Sequence, residues 1–204
     1  MAAPIPDHRW QPLSVAETDA LFADAPFDWA FGGGYAVEHF VGHGFRQHED
    51  VDIILFRDQQ LAAQRWLAGW QLYAADPPGT LRPWLSDEFL QFGVHDIWAH
   101  RPDSDAWQFQ FLVCETADGD WFFRKNAQIR GRRHELIQAY SGKPCVRIEV
   151  QLFYKSRGTR AKDELDFQTC LPLLAPEAKR WLRHAIALNF PEGHAWLAQL
   201  DGGG

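Results

Sequence analysis

The chain has 204 residues, enough for one large domain or one domain with a helical extension. Its 46 % hydrophobic and 23 % charged content is that of a soluble globular protein with a core of useful size. A net charge of −7 argues against broad nucleic-acid binding, which needs a basic surface, and favours a cationic partner.

Ser14-Val15-Ala16-Glu17 is a capping-box pattern that opens a helix running to about Ala23. Pro26 ends it, and residues 27–31 read as a short strand entering Gly32-Gly33-Gly34. Residues 35–41 look helical, with Gly42 and Gly44 as the stop. Residues 50–56 form a strand rich in Val and Ile, after which Asp58 is placed to cap a helix over 59–74. Its apolar positions Leu61, Ala62, Trp66, Leu67 and Trp70 recur at helical spacing. Asp76-Pro77-Pro78-Gly79 is a clear break.

Two strands follow, over 92–100 and 107–115, joined through the hairpin-like loop 101–105. A turn at Ala117-Asp118-Gly119-Asp120 leads to a strand over 121–124, and Arg130-Gly131-Arg132-Arg133 reads as loop. Residues 146–153 alternate as in a strand, with Arg147, Glu149 and Gln151 on one face. The chain is then helical, with Pro176 in the first turn of a long last helix to about Asn189 and a frayed end at Gly202 to Gly204. Helices mixed with hairpins and one strand-helix-strand unit imply an α+β protein: a mixed β-sheet with flanking helices, then a helical C-terminal part. The expected division is an α/β core over 1–140 and a final strand with helices over 141–204, or one compact domain.

The three cysteines, Cys114, Cys145 and Cys170, are far apart and make no disulfide framework or paired-cysteine zinc motif. A reducing, cytoplasmic location is expected. No apolar run approaches the ~18 residues of a membrane span. Met1-Ala2-Ala3-Pro4-Ile5-Pro6 lacks a basic-then-apolar signal pattern, and no membrane partner is expected. Nothing in the sequence fixes the oligomeric state.

Chemistry concentrates around Asp50-Val51-Asp52. In a strand the two carboxylates share a face, while Val51 and Ile53 point to a core. Two such charges repel by roughly 4 kcal/mol at ~4 Å and an effective dielectric near 20, so a cation is expected between them. Hard oxygen ligands of this kind suit Mg²⁺ together with substrate phosphates. Glycines at a strand-to-helix junction let a phosphate approach the backbone, although three glycines alone equally make a plain turn. Asp50 and Asp52 also read as the solvent face of an edge strand, and Glu149 as an exposed strand face. His43, His48 and Glu49 lack a fourth ligand with zinc spacing. His48 is instead expected to orient the Asp strand through a hydrogen bond. Asp163 and Asp166 read as capping or ion-pairing residues, and Trp98, Trp107 and Trp121 as pocket walls or core.

Residues 29–56, with Gly-Gly-Gly-Tyr followed by Arg46-Gln47-His48-Glu49-Asp50-Val51-Asp52, resemble the signature of the nucleotidyltransferase superfamily. The likeness is strongest to its aminoglycoside and lincosamide adenylyltransferase-like branch. Glu149 to Lys155, Lys162 to Phe167 and His194-Ala195-Trp196-Leu197 resemble the same branch in the same order. The resemblance implies transfer of a nucleotide, AMP in the first instance, from ATP or another triphosphate to a hydroxyl of a small, aminoglycoside-like acceptor. Asp50 and Asp52 would bind Mg²⁺, and Gly33 and Gly34 would hold the triphosphate. Arg46 or Lys155 would meet phosphate charge, and Glu149 would be the general base. The superfamily usually supplies a third acid from a neighbouring strand. Here residues 107–112 offer only Gln110, with Asp96 and Glu115 as substitutes. A non-catalytic nucleotide-binding or regulatory protein of the same fold is therefore the alternative.

Overall fold

The computed structural model describes residues 9–158 and 160–202; the N-terminal residues 1–6 and the last two glycines of the expected frayed end lie outside them. The first helix, α1 (Val15–Phe22), is closed at its N-terminus by the expected capping box between Ser14 and Glu17. Strand β1 (Trp29–Phe31) then enters helix α2 (Gly33–Val41), which ends on left-handed Gly42. Strand β2 (Asp52–Phe56) starts at the second acid, so Asp50 and Val51 form its approach.

The helix expected over 59–74 is shorter. Helix α3 (Gln60–Trp66) stops, Gly69 takes φ 93°, and residues Gln71–Ala75 become strand β3. The helical spacing of apolar residues continues past Trp66, but a left-handed glycine reverses the chain and the later side chains pack as a strand. Strands β4 (Leu81–Pro83), β5 (Asp96–His100), β6 (Phe109–Ala117) and β7 (Asp120–Phe123) follow. The basic stretch expected as loop lies largely in strand β8 (Asn126–Arg132). Asp120 pairs across the ladder with Arg132, and Trp121 packs over Gly131, so ion pairs and a glycine hold a sequence that looks loop-like. Strands β9 (Ile137–Tyr140) and β10 (Lys143–Val146) complete the set.

The strand expected over 146–153 is instead helix α4 (Ile148–Ser156). Eight of its nine residues are buried. The alternation of Ile148, Val150 and Leu152 with Glu149 and Gln151 has a strand period, but here polar and apolar positions are buried alike, so the period does not follow burial. Helices α5 (Ala161–Cys170), α6 (Pro176–Asn189) and α7 (Ala195–Asp201) end the described chain.

The sheet runs β4-β3-β5-β6-β2-β1-β10-β9, with β7 and β8 continuing from the far end of β6. β2 pairs in parallel with β6, and β1 in parallel with β10; the other pairs are antiparallel. Phe22 of α1, Ala63 of α3 and Leu67 just beyond it join Ile53, Leu55, Phe109 and Phe111 in a core on one face. On the other face, α4 packs Val150 against Ile54, Phe56 and Cys114. A third core links α2, α4, α5, α6 and α7 through Val37, Leu152, Phe167, Ile186 and Trp196. The expected α+β class, mixed sheet and helical C-terminal part are all present. Because β2 and β6 are parallel neighbours, Asp52 lies level with Gln110, and β5 sets Asp96 beside Leu112 on the next rungs.

Candidate active site

The Gly32–Gly34 turn is pinned directly to the acid strand. Gly32 N donates to Asp52 O at 2.8 Å. Gly33 has φ 57°, and a Cβ there would stand 1.9 Å from Asp52 Oδ2, so only glycine fits. Its amide donates to Gln151 Oε1 at 2.9 Å, which brings α4 against the first turn of α2. The Gly33 amide is therefore engaged with Gln151 in this structure.

Asp52 is only partly buried by surface, yet it is enclosed enough that burial is the main cause raising its carboxyl to about 6, with the Asp50 charge second. Gln110 Nε2 donates to its Oδ1 at 2.5 Å and Lys155 acts on it from α4, both favouring the ionised form. The hydrogen bond to Asp163 is the main cause that strengthens the hold of Arg160 on its proton, and the charges of Asp50 and Asp52 add to it. The two acids thus form one electrostatic unit, with Lys155 and Arg160 as the cations that act on it and, among the described residues, no direct ion-pair partner on either carboxylate. Among the described residues, no group of three or more His, Cys, Asp or Glu gathers as a metal cluster. Two carboxylates with an open side fit Mg²⁺, which keeps waters and takes substrate phosphates.

Lys155 lies on α4 one turn after Gln151, an i, i+4 pair on one helical face. Its Nζ is 2.7 Å from Asp166 Oδ2 and 3.5 Å from Asp163 Oδ1. Asp166 also receives Arg46 through two bonds, Nε to Oδ1 at 2.6 Å and Nη2 to Oδ2 at 2.8 Å. Arg160 holds Asp163 at 2.7 Å, and the hydrogen bonds and charges of Arg160 and Lys155 outweigh burial to keep that carboxyl low. Asp163 and Asp166 are ion-pairing residues, as their sequence context implied. They leave three cations on two acids beside the Asp50–Asp52 pair. Arg46 is committed to Asp166, and its Nη2 would lie 2.7 Å from a Cβ on Gly34, so it shapes the turn.

Three expectations need correction. His48 does not orient the Asp strand: Nε2 meets Glu38 Oε2 at 2.6 Å and Nδ1 meets Arg46 Nη1 at 3.1 Å. Glu115 is buried and clamped by Arg57 at 2.5 and 2.6 Å, which removes it as a third site acid. Glu149, the expected general base, belongs to a helix rather than a strand. It stands about 200° round α4 from Gln151, buried against Arg147 and beside Tyr140. The structure therefore does not bring it together with Asp50 and Asp52.

A cleft of about 190 Å³ opens on the same sheet face, between β5, β6, the end of β7 and α4. Ile54, Leu112 and Gln151 line it next to the acid pair, and Asp96 faces it from β5. Burial raises the Asp96 carboxyl and Arg124 opposes that rise. Arg124 and Arg157 stand at the cleft as well. Its aromatic walls are Phe122, Phe123 and Tyr154 rather than Trp98, Trp107 or Trp121. Trp107 is fully buried, and Trp121 packs against Trp181. Gln151, Arg124 and Arg157 escape a sequence reading because they meet across elements far apart in the chain. The one local signal is the Gln151–Lys155 spacing, which needs the segment to be recognised as helix.

A family model for aminoglycoside-2''-adenylyltransferase matches residues 14–73, which carry the glycine turn and both acids. The chain is similar in shape to the lincosamide antibiotic adenylyltransferase LnuA with lincomycin bound, at 15 % identity and a TM-score of 0.53. That match covers 78 % of this chain and 97 % of LnuA. The chain has the nucleotidyltransferase fold. ANT(2'')-Ia in complex with adenylyl-2''-tobramycin gives 15 % identity and a TM-score of 0.51 over 84 % of this chain and 94 % of that one. The solution structure of ANT(2'')-Ia gives 15 % and 0.56 over 87 % and 91 %. Curated protein sequences gave no match. The resemblance to the aminoglycoside and lincosamide adenylyltransferase-like branch, read first from the residues, is thus borne out by the family model and by the fold. Among the described residues, no helix is long and apolar enough to cross a membrane.

Proposed function

We propose that this chain is a Mg²⁺-dependent nucleotidyltransferase that moves a nucleoside monophosphate, AMP in the first instance, from a triphosphate to a hydroxyl of a small molecule. The observation that carries the reading is the glycine turn locked onto Asp52, whose carboxyl is raised by burial and by the neighbouring Asp50 charge. Asp50 and Asp52 would hold the metal. When bound, Mg²⁺ supplies charge neutralisation of the triphosphate and of the transition state. Gly34 and the start of α2 approach the phosphates, and Lys155 and Arg160 add positive charge on that side. Gln110 positions Asp52 by its hydrogen bond, and Gln151 holds the turn.

In the transfer, the acceptor oxygen forms a bond to the α-phosphorus as the bond to the bridging oxygen breaks and pyrophosphate leaves. The acceptor proton passes to a base. Asp96 fits that role better than Glu149: it faces the cleft, and burial makes it more basic. An in-line displacement needs acceptor and pyrophosphate on opposite sides of the phosphorus. With the phosphates towards Gly34, Lys155 and Arg160, the acceptor comes from the Asp96 cleft.

The test is incubation with Mg²⁺, α-labelled ATP or GTP and a panel of hydroxyl compounds that includes amino sugars. Labelled adduct and pyrophosphate are expected. Asp50→Asn combined with Asp52→Asn should abolish both and keep the fold; transfer by the double variant contradicts the metal assignment. The uncharged Gln110 favours the second reading, a nucleotide-binding protein without turnover. Tight Mg-ATP binding with no transfer across the panel would support it.

A further inference from the structure

The overall charge of −7 favours a cationic acceptor, but the cleft has the opposite local sign. Its lining includes two acids and two guanidiniums. Glu115 is neutralised by the bidentate clamp of Arg57, which leaves Asp96 as the acid facing the cleft. Among the described residues, neither Arg124 nor Arg157 has a carboxylate within ion-pair distance. Arg157 lies 4–6 residues beyond Gln151 and Phe153, and its guanidinium sits 5.1 Å over the Phe123 ring, which fixes it at the cleft wall. Both guanidiniums line the same cleft, and burial, with the Arg124 charge second, weakens the hold of Arg157 on its proton. Lys125 is depressed by both of them. Two like charges thus share one cleft wall with no direct ion pair among the described residues, and Asp96 is the one unclamped acid of the cleft lining. Their planar forks match a carboxylate or phosphate in the bidentate manner. Phe122, Phe123 and Tyr154 provide apolar walls beside them.

We propose that Arg124 and Arg157 recognise an anionic group, a carboxylate or a phosphate, on an acceptor that carries a flat or apolar body against Phe122, Phe123 and Tyr154. This deepens the proposed transfer reaction and rests on it: the acceptor is an anionic hydroxyl compound, not a polyamine. With the phosphates towards Lys155 and Arg160, as proposed above, these guanidiniums of the Asp96 cleft fall on the acceptor side. A polycationic acceptor would meet both of them unscreened.

The experiment uses the full chain with Mg²⁺ and a non-hydrolysable ATP analogue, and measures affinity by calorimetry. First the analogue is titrated alone; then 4-hydroxyphenylacetate, glucose 1-phosphate, the matched amine tyramine, and tobramycin are titrated into the complex. The two anions should bind at least tenfold more tightly than the amines. Arg124→Gln with Arg157→Gln should erase that preference and leave analogue affinity within twofold, while Arg124→Lys with Arg157→Lys should retain most of it. Tighter binding of tyramine or tobramycin, or no binding of either anion, overturns the inference and leaves the transfer reading standing. If the Gln variant loses analogue affinity as strongly as anion affinity, the guanidiniums serve the triphosphate and the inference also fails. Absence of analogue binding by the unaltered protein overturns the transfer reading itself, and this inference with it.

Discussion

Gln110 donates from Nε2 to Asp52 Oδ1 at 2.5 Å, from the position level with it on the parallel neighbouring strand. In the nucleotidyltransferase superfamily that the sequence resembles, the neighbouring strand usually brings a third acid; here it brings a hydrogen-bond donor. Gln110 lowers the charge cost of Asp52 where another carboxylate would raise it. Replacement by Leu removes the donor without adding charge. Gln110→Leu is expected to retain the fold, raise the Asp52 carboxyl further and cut the transfer rate at least tenfold. Steady-state kinetics with labelled nucleotide, with circular dichroism as the folding control, checks this.

Gly33 is the tightest point of the site. Any side chain there meets both a left-handed backbone and the Asp52 carboxylate. Gly33→Ala should destabilise the protein by more than about 1 kcal/mol, because the native φ does not suit alanine. It should also displace Asp52 and abolish Mg-nucleotide binding. Gly42→Ala provides the comparison: it has φ 89° but open space around its Cα, so it should lose stability and retain nucleotide binding. Denaturant melts and calorimetry on the pair separate the two effects.

Two acids on the neighbouring strands β5 and β6 have different fates. Glu115 is buried and bonded to Arg57, which also donates to the carbonyls of Leu90, Gln91 and Val94. Arg57→Ala strands a buried carboxylate and should cost about 3–5 kcal/mol. Asp96→Asn should cost little stability and lower kcat at least a hundredfold, the size expected for a general base. Unaltered transfer by Asp96→Asn would return the base role to another group.

The carboxyl of Asp52 is raised from 3.8 to about 6 by burial and by Asp50. Between those values the folded protein holds a proton that the unfolded chain has lost. Metal-free stability should therefore fall as pH rises through this window, by about 3 kcal/mol for a shift of this size. Mg²⁺ binds the ionised form and should restore the loss, so its effect on Tm should be small at pH 5 and large at pH 7.5. Asp50→Asn should raise metal-free stability at pH 7.5 and abolish the Mg²⁺ response. Thermal melts at the two pH values, with and without Mg²⁺, read both effects.

The glycine turn and the acid pair were legible in the sequence because their geometry is local: a strand-to-helix glycine and two acids two residues apart. The capping box and the last long helix were legible for the same reason. Glu149 misleads because Ile148, Val150 and Leu152 alternate like a strand, while the segment is buried on every side as a helix. Trp70 extends a helical spacing that Gly69 has already ended. Arg124 and Arg157 come from a strand end and a helix end separated by more than thirty residues, and only packing brings them to one cleft. Local spacing carries information about a turn or a cap; it carries none about which distant charges will share a wall.

The most direct test of the site is Mg²⁺-dependent binding of a non-hydrolysable ATP analogue, measured by calorimetry on the unaltered protein and on Asp50→Asn with Asp52→Asn. Saturable binding that requires Mg²⁺ and disappears in the folded double variant is the predicted result. Equal binding by both proteins, or binding indifferent to Mg²⁺, would contradict the assignment of Asp50 and Asp52.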